Sequence, residues 1–136
     1  MPFQWLEMRI GEERDRRRRE AEILARLGTA LDEIRRILTG CLDDYNAAFG
    51  TASAIESDSA GFTIRVQDPP AEARIVPDPT LPGFHVHRGD FTLPIEIGIL
   101  PGDKLFYRDL NADQYLTMDE MTRRILDRVL FPKLRE

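Results

Sequence analysis

The stretch FHVHRGDFTLPIEIGIL, residues 84–100, decides the fold. Apolar side chains alternate with others on both sides of Gly89-Asp90, a period of two that belongs to β-strands. A two-residue turn at Gly89-Asp90 sets the register. Val86 then faces Leu93 and Phe84 faces Ile95 on one side, while His87 lies opposite Thr92 and His85 opposite Pro94 on the other. Ile97 and Ile99 continue the first row. One side of this hairpin is apolar and needs a cover.

The same period extends outward in both directions. Upstream, Phe62, Ile64 and Val66 alternate with Thr63, Arg65 and Gln67, and a short strand follows around Arg74–Val76. DPPAE and PDPTLPG interrupt between strands. Downstream, LPGD makes a turn, KLFYR reads as the next strand, and Gln114–Leu116 as a short one. Thr117 with Glu120 three residues on is a capping box that opens a helix. Its Met121, Ile125 and Val129 share a face with Leu126 and Leu130 beside them, and Pro132 stops it.

On the N-terminal side the period is helical. Leu24, Leu27, Leu31, Ile34, Leu38, Cys41 and Tyr45 recur at alternating steps of three and four, widened by Ile23, Ala30, Ile37 and Leu42. A stripe this wide suits a helix lying on a sheet. The expected fold is α+β: a long N-terminal helix over 12–49, an antiparallel β-meander of four to six strands over 51–116, and a short C-terminal helix over 117–131 packed on the sheet. Residues 12–136 then form one domain, preceded by an apolar arm over 1–11 whose Phe3, Trp5, Leu6, Met8 and Ile10 are candidate partner-binding residues.

Composition narrows the function classes. With 42% hydrophobic and 32% charged residues, the chain belongs with globular proteins rather than disordered ones. A net charge of −5 is not that of a protein that displaces counterions from nucleic acid. The Arg-rich run RDRRRRE is nearly self-neutralised by Glu12/Arg16, Glu13/Arg17, Asp15/Arg19 and Glu22/Arg26 spacings, so it reads as a solvated helix face. A single cysteine permits no intrachain disulfide and points to the cytoplasm. No apolar run suits a signal peptide or a membrane span. Seventeen of the nineteen basic residues are arginine, which points to a GC-rich bacterial genome.

Three constellations carry possible chemistry. DLNADQYLTMDE, residues 109–120, matches the six ligand positions of a calcium loop, with Asp109, Asn111, Asp113 and Glu120 as its main metal ligands. Against this, Gln114 stands where that loop wants glycine, and KLFYR reads as a strand where an entering helix is required. An Asn/Asp turn followed by a helix cap accounts for the same letters. His85 and His87 form an H-x-H on one strand face; with Glu96 they are candidate transition-metal ligands or the wall of a small-ligand site. Arg88-Gly89-Asp90 is the turn itself. No nucleophile elbow, phosphate loop or dinucleotide fingerprint is present. Cys41 lies in the apolar seam, where a thiol behaves as a small hydrophobe.

The expected function is therefore a non-catalytic cytoplasmic protein-interaction module, adaptor or chaperone-like, acting through an apolar helix or sheet surface as a homo-oligomer. It needs no cofactor, nucleic acid or membrane. The alternatives are calcium binding through 109–120 and small-ligand binding on the His85/His87 face.

Overall fold

A computed structural model describes residues 3–50, 53–67, 70–78, 80, 82–102 and 104–132. Met1 and Pro2 of the arm, Thr51 and Ala52 of the expected sheet, and parts of the DPPAE, PDPTLPG and LPGD interruptions lie outside them. Helix α1 spans Gln4–Phe49. Strands β1 (Ser53–Asp58), β2 (Gly61–Gln67), β3 (Pro70–Pro77), β4 (Gly83–Arg88), β5 (Phe91–Leu100), β6 (Lys104–Asp109) and β7 (Gln114–Leu116) follow, and helix α2 spans Met118–Leu130. The strands pair in sequence order as one antiparallel meander.

The hairpin at the centre has the register read from its letters: Val86 against Leu93, Phe84 against Ile95, His87 against Thr92 and His85 against Pro94. Gly89 takes φ of 55° and Asp90 stays at negative φ, as a turn with glycine at its first central position requires. Pro94 is tolerated inside β5 for a geometric reason. It sits at a pair whose N–H would point away from β4, and β6 pairing begins only at the next residue, Ile95 against Asp109. Its carbonyl still accepts from the Leu110 N–H at 3.0 Å.

Seven strands stand where four to six were expected. The additional one is β1, whose SAIESD has one strong β-former and half-exposed or exposed residues throughout. Asn46 ties it to α1: its Oδ1 accepts from the Ser53 N–H at 2.9 Å, and its Nδ2 donates to the Ser53 carbonyl at 3.1 Å. Gly50 ends α1 in the left-handed conformation (φ 60°) and donates to the Asn46 carbonyl.

Both helices lie on the same side of the sheet. Helix α1 touches β1 and β5, and α2 reaches from β7 to β2 and β3, so the sheet curls around α2. Ile34 and Leu38 of α1, Met121 and Ile125 of α2, and Ile64, Ile75, Phe84, Val86, Ile95 and Ile97 of the strands are fully buried together. Tyr45, Phe49 and Phe131 join the C-terminal ends of the helices, ring centroids 5.1–6.2 Å apart. The buried line on α1 is Ile23, Ala30, Ile34, Leu38 and Leu42 rather than the heptad seam itself, and Leu24 is 53% exposed. A straight helix on a sheet follows a period of 3.6, which drifts off a 3.5-residue seam toward its flank.

The opposite sheet face is polar. Arg65 bridges Glu56 and Glu72 at 3.0 Å each, Arg74 pairs with Asp58 at 3.1 Å, and Arg108 pairs with Glu96 at 3.0 Å. The Arg65 and Arg108 pairs join adjacent strands on the outward row, and Arg74 reaches across β2 to Asp58 of β1. The expected apolar sheet surface is thus the covered one, and the uncovered face is a charged ladder.

The helix expected over 12–49 starts eight residues earlier, at Gln4. Nothing between Gln4 and Glu12 breaks it, since Gly11 costs only about 1 kcal/mol relative to alanine. The arm is the beginning of α1 and not a separate segment. No described residue before Ile23 is buried, so residues 4–22 extend roughly 28 Å at 1.5 Å per residue without joining the core. Along that overhang the core-facing stripe is charged from Glu13 to Glu20 and apolar again at Leu6 and Ile10. Glu13 pairs with Arg16 (2.5 Å) and Arg17 (2.8 Å), Arg16 with Glu20 (2.5 Å), and Asp15 with Arg18 (3.1 Å). Of the four pairings read from spacing, Glu13–Arg17 is formed; Glu12 turns instead to Arg9 and Asp15 to Arg18, each three residues away. A helix polar on all sides is held by such pairs rather than by packing.

Candidate functional sites

The loop 109–120 joins β6 to α2 through β7 and carries the four candidate calcium ligands. Asp109 is 2% exposed. Its Oδ1 accepts from the Asn111 N–H at 2.8 Å and the Ala112 N–H at 3.0 Å, and its Oδ2 is bound by the Arg124 guanidinium. Asn111 donates through Nδ2 to the Thr92 carbonyl at 2.9 Å, and Asp113 accepts from Arg108 at 2.6 Å. Glu120 receives the Thr117 N–H at 3.0 Å and returns its own N–H to Thr117 Oγ1 at 3.1 Å, the predicted capping box. That contact with the Thr117 backbone holds the Glu120 carboxyl below its ordinary range.

All four candidate calcium ligands are thus engaged in separate contacts, two of them local and two reaching other elements. The positive φ falls at Asp113 (52°) and not at Gln114, whose side chain accepts from Arg124 at 2.7 Å. Among the described residues no group of three or more His, Cys, Asp or Glu side chains is placed to hold a metal ion. The turn-and-cap reading of these letters fits the geometry, and an assembled calcium cage does not.

His85 and His87 do share the outward face, ring centroids 5.7 Å apart. Each turns to its own neighbour: His85 Nε2 bonds Asp78, and His87 Nδ1 contacts Thr92 Oγ1 at 3.2 Å. Glu96 is drawn to Arg108 instead. Asp78 is the more telling group. It is held to about 2 by the Thr80 N–H, then by the Thr80 hydroxyl and His85. A carboxyl with a depressed folded-state value stabilises the fold above its unfolded value near 3.8, and that contribution disappears as pH falls toward 2. Asp78→Asn should therefore shed part of the acid-induced drop in melting temperature between about pH 4 and 2, the two proteins' profiles separating as pH rises through that window and keeping a constant offset above it. Parallel profiles across the whole range would remove Asp78 as a contributor.

A groove between α2 and the tip of the β4–β5 hairpin was not legible in the sequence. It encloses about 450 Å³ and adjoins a second of about 600 Å³, and the two share Arg88, Phe91 and Arg128. Arg88 Nε and Nη1 are buried without a hydrogen-bond partner, and its guanidinium carbon lies 4.6 Å from the centre of the Phe91 ring. Burial and the charge of Arg128 both push the Arg88 guanidinium below its ordinary value, against a smaller pull from Asp127. One signal was available in the letters: Arg124 and Arg128 are like charges one turn apart on α2, which want an acidic or anionic neighbour.

The Cys41 thiol is half-buried and held above its ordinary value, by burial first and then by Asp44 and Asp119. At the far end of α1, Phe3, Trp5 and Met8 are 57%, 65% and 64% exposed. No helix among the described residues is long and apolar enough to cross a membrane. Set against models of known protein families, curated proteins and solved structures, the chain matches none of them.

Proposed function

We propose that the protein is a non-catalytic interaction module that works as a homodimer, its two copies joined through the overhanging halves of α1. The observation that carries this reading is the pattern on that overhang. Phe3, Leu6, Ile10, Glu13, Arg17 and Glu20 continue the α1 heptad seam in phase beyond the point where the helix leaves the sheet, and Leu24 and the half-buried Leu27 are its last members on the sheet side of that point. Two such helices pair best antiparallel about residue 15. Leu6 then faces the exposed Leu24 of the second copy, Phe3 faces Leu27, and Glu13 faces Arg17. A parallel pairing would set Glu13 on Glu13 and Arg17 on Arg17, and like charges disfavour it. Charge complementarity selects the antiparallel partner.

Trp5 and Met8 fall outside this stripe and stay accessible in the dimer, where they are the anchors for a further protein partner. The thiol of Cys41 and the carboxylates of 109–120 are taken up by packing and local contacts, which supports a binding role over a catalytic one.

Light scattering tests the reading. Leu6→Glu with Ile10→Glu should convert a dimer to a monomer while the far-ultraviolet circular dichroism and the melting of the sheet domain persist. Trp5→Ser with Met8→Ser should leave the dimer mass unchanged. A wild-type protein that runs as a monomer at high micromolar concentration, or a stripe variant that keeps its mass, removes the dimer.

A further inference from the structure

We propose that the groove between α2 and the β4–β5 hairpin binds a small phosphate monoester, with the phosphoryl group on Arg88, Arg123 and Arg128 and the organic part on Phe91. The first support is Arg88 itself. A guanidinium stays charged at any pH a protein meets, so two buried nitrogens without partners are a standing cost that an anion would relieve. Stacking on Phe91 engages the face of the guanidinium, whereas its N–H donors lie in the plane.

The charge around it is the second support. Four arginines line the 450 Å³ groove against three acids. Arg124 and Asp109 neutralise each other, and Glu120 is turned to the Thr117 N–H. Arg88, Arg123 and Arg128 remain beside the carboxylates of Asp127 and Glu120, a local excess of one positive charge on a chain whose net charge is −5. Among the described residues neither Arg123 nor Arg128 makes an ion pair within 4 Å, so their forks are open to phosphate oxygens.

The third support is shape. Phe91 is 43% exposed, and Leu93, Ala71 and Val129 extend an apolar wall on either side of Arg88. An open groove of this volume suits a small molecule, with one charged end and one apolar end matched by the two kinds of lining. Inorganic phosphate would meet the charge alone. The site is independent of the α1 pairing, since none of its residues belongs to α1.

Calorimetric titration and thermal melting of the full chain at fixed ionic strength test the site, with phenyl phosphate, inorganic phosphate, benzoate and chloride as the probes. Phenyl phosphate should bind saturably and raise the melting temperature, with inorganic phosphate weaker and chloride without effect. Arg88→Met, which keeps the apolar stem, should weaken phenyl phosphate binding about tenfold or more, the scale of one lost charge-assisted contact. Arg123 and Arg128 are exposed, so Arg123→Ala with Arg128→Ala keeps the test decisive if Arg88→Met does not fold, and should weaken binding by at least as much. Benzoate binding more tightly than phenyl phosphate overturns the phosphate assignment. Phenyl phosphate acting no differently from chloride, or binding the double variant unchanged, overturns the site.

Discussion

Asp109→Ala is expected to lower the unfolding free energy by about 3 kcal/mol, the scale of breaking a buried, hydrogen-bonded charge pair. The loss has three parts. The Asn111 and Ala112 N–H groups lose their shared acceptor, and the Arg124 guanidinium loses its buried counter-ion. A neutral amide is the sharper probe: Asp109→Asn retains an oxygen for the two N–H groups, so it should cost roughly half as much, about 1.5 kcal/mol. Arg124 is 31% exposed and can recover water, which limits the share of the loss due to the pair alone. Urea denaturation of the two variants and of Arg124→Ala, read as a double-mutant cycle, separates the charge from the turn. Additive losses would mean that the pair contributes nothing beyond its members. The same contacts predict that wild-type melting does not move between millimolar calcium and chelator, since the carboxylate an ion would need is already bound. A calcium-dependent rise would show that the loop can open and rearrange around the ion.

Phe84→Ala should cost slightly more, about 4 kcal/mol, within the range for emptying a buried aromatic site. Phe84 is fully buried on the central strand of seven, between Pro77 of β3 and Ile95 of β5, and both neighbouring strands are held in register beside it. The sheet cannot close around the missing ring without moving strands that carry Ile75 and Ile97. For a domain with a total stability of roughly 5–15 kcal/mol, such a loss removes from about a quarter to about four-fifths of it. Phe84→Leu preserves most of the volume and should cost under about 1.5 kcal/mol. Phe91→Ala, at the exposed end of the same hairpin, provides the contrast and should fall below about 1 kcal/mol. Comparable losses at positions 84 and 91 would contradict the burial pattern that places the core on the α-covered face.

Local chemistry made the middle and end of the chain readable. The Gly89-Asp90 turn fixes the pairing of β4 with β5 because a two-residue loop leaves the strands a single register. The Thr117/Glu120 box marks the start of α2 because both halves of the device lie within four residues. β1 is not legible in the letters because its pairing partner and its Asn46 latch supply what its own residues lack in strand propensity. The helix start was displaced because an apolar segment before an Arg-rich run looks like a boundary, although no backbone signal stops the helix there.

The sites divide along the same line. That His85 and His87 share a face follows from period alone, but that Asp78 claims His85 depends on where Asp78, just past the end of β3, is held by the Gly83 carbonyl. The calcium-like spelling of 109–120 is local, yet its fate is set by Arg124, fifteen residues beyond Asp109, and by Arg108 on the adjoining strand. Arg88 reads as a turn neighbour in the letters and becomes a groove residue only when α2 crosses beneath the hairpin. By itself the sequence determined the α+β order, the central hairpin and the cap of α2, because turns, periods and caps act over a few bonds. The tertiary structure alone decided which charges meet and which guanidinium is left without a partner. Those outcomes depend on the curl of the sheet around α2, which brings together residues no short-range rule connects.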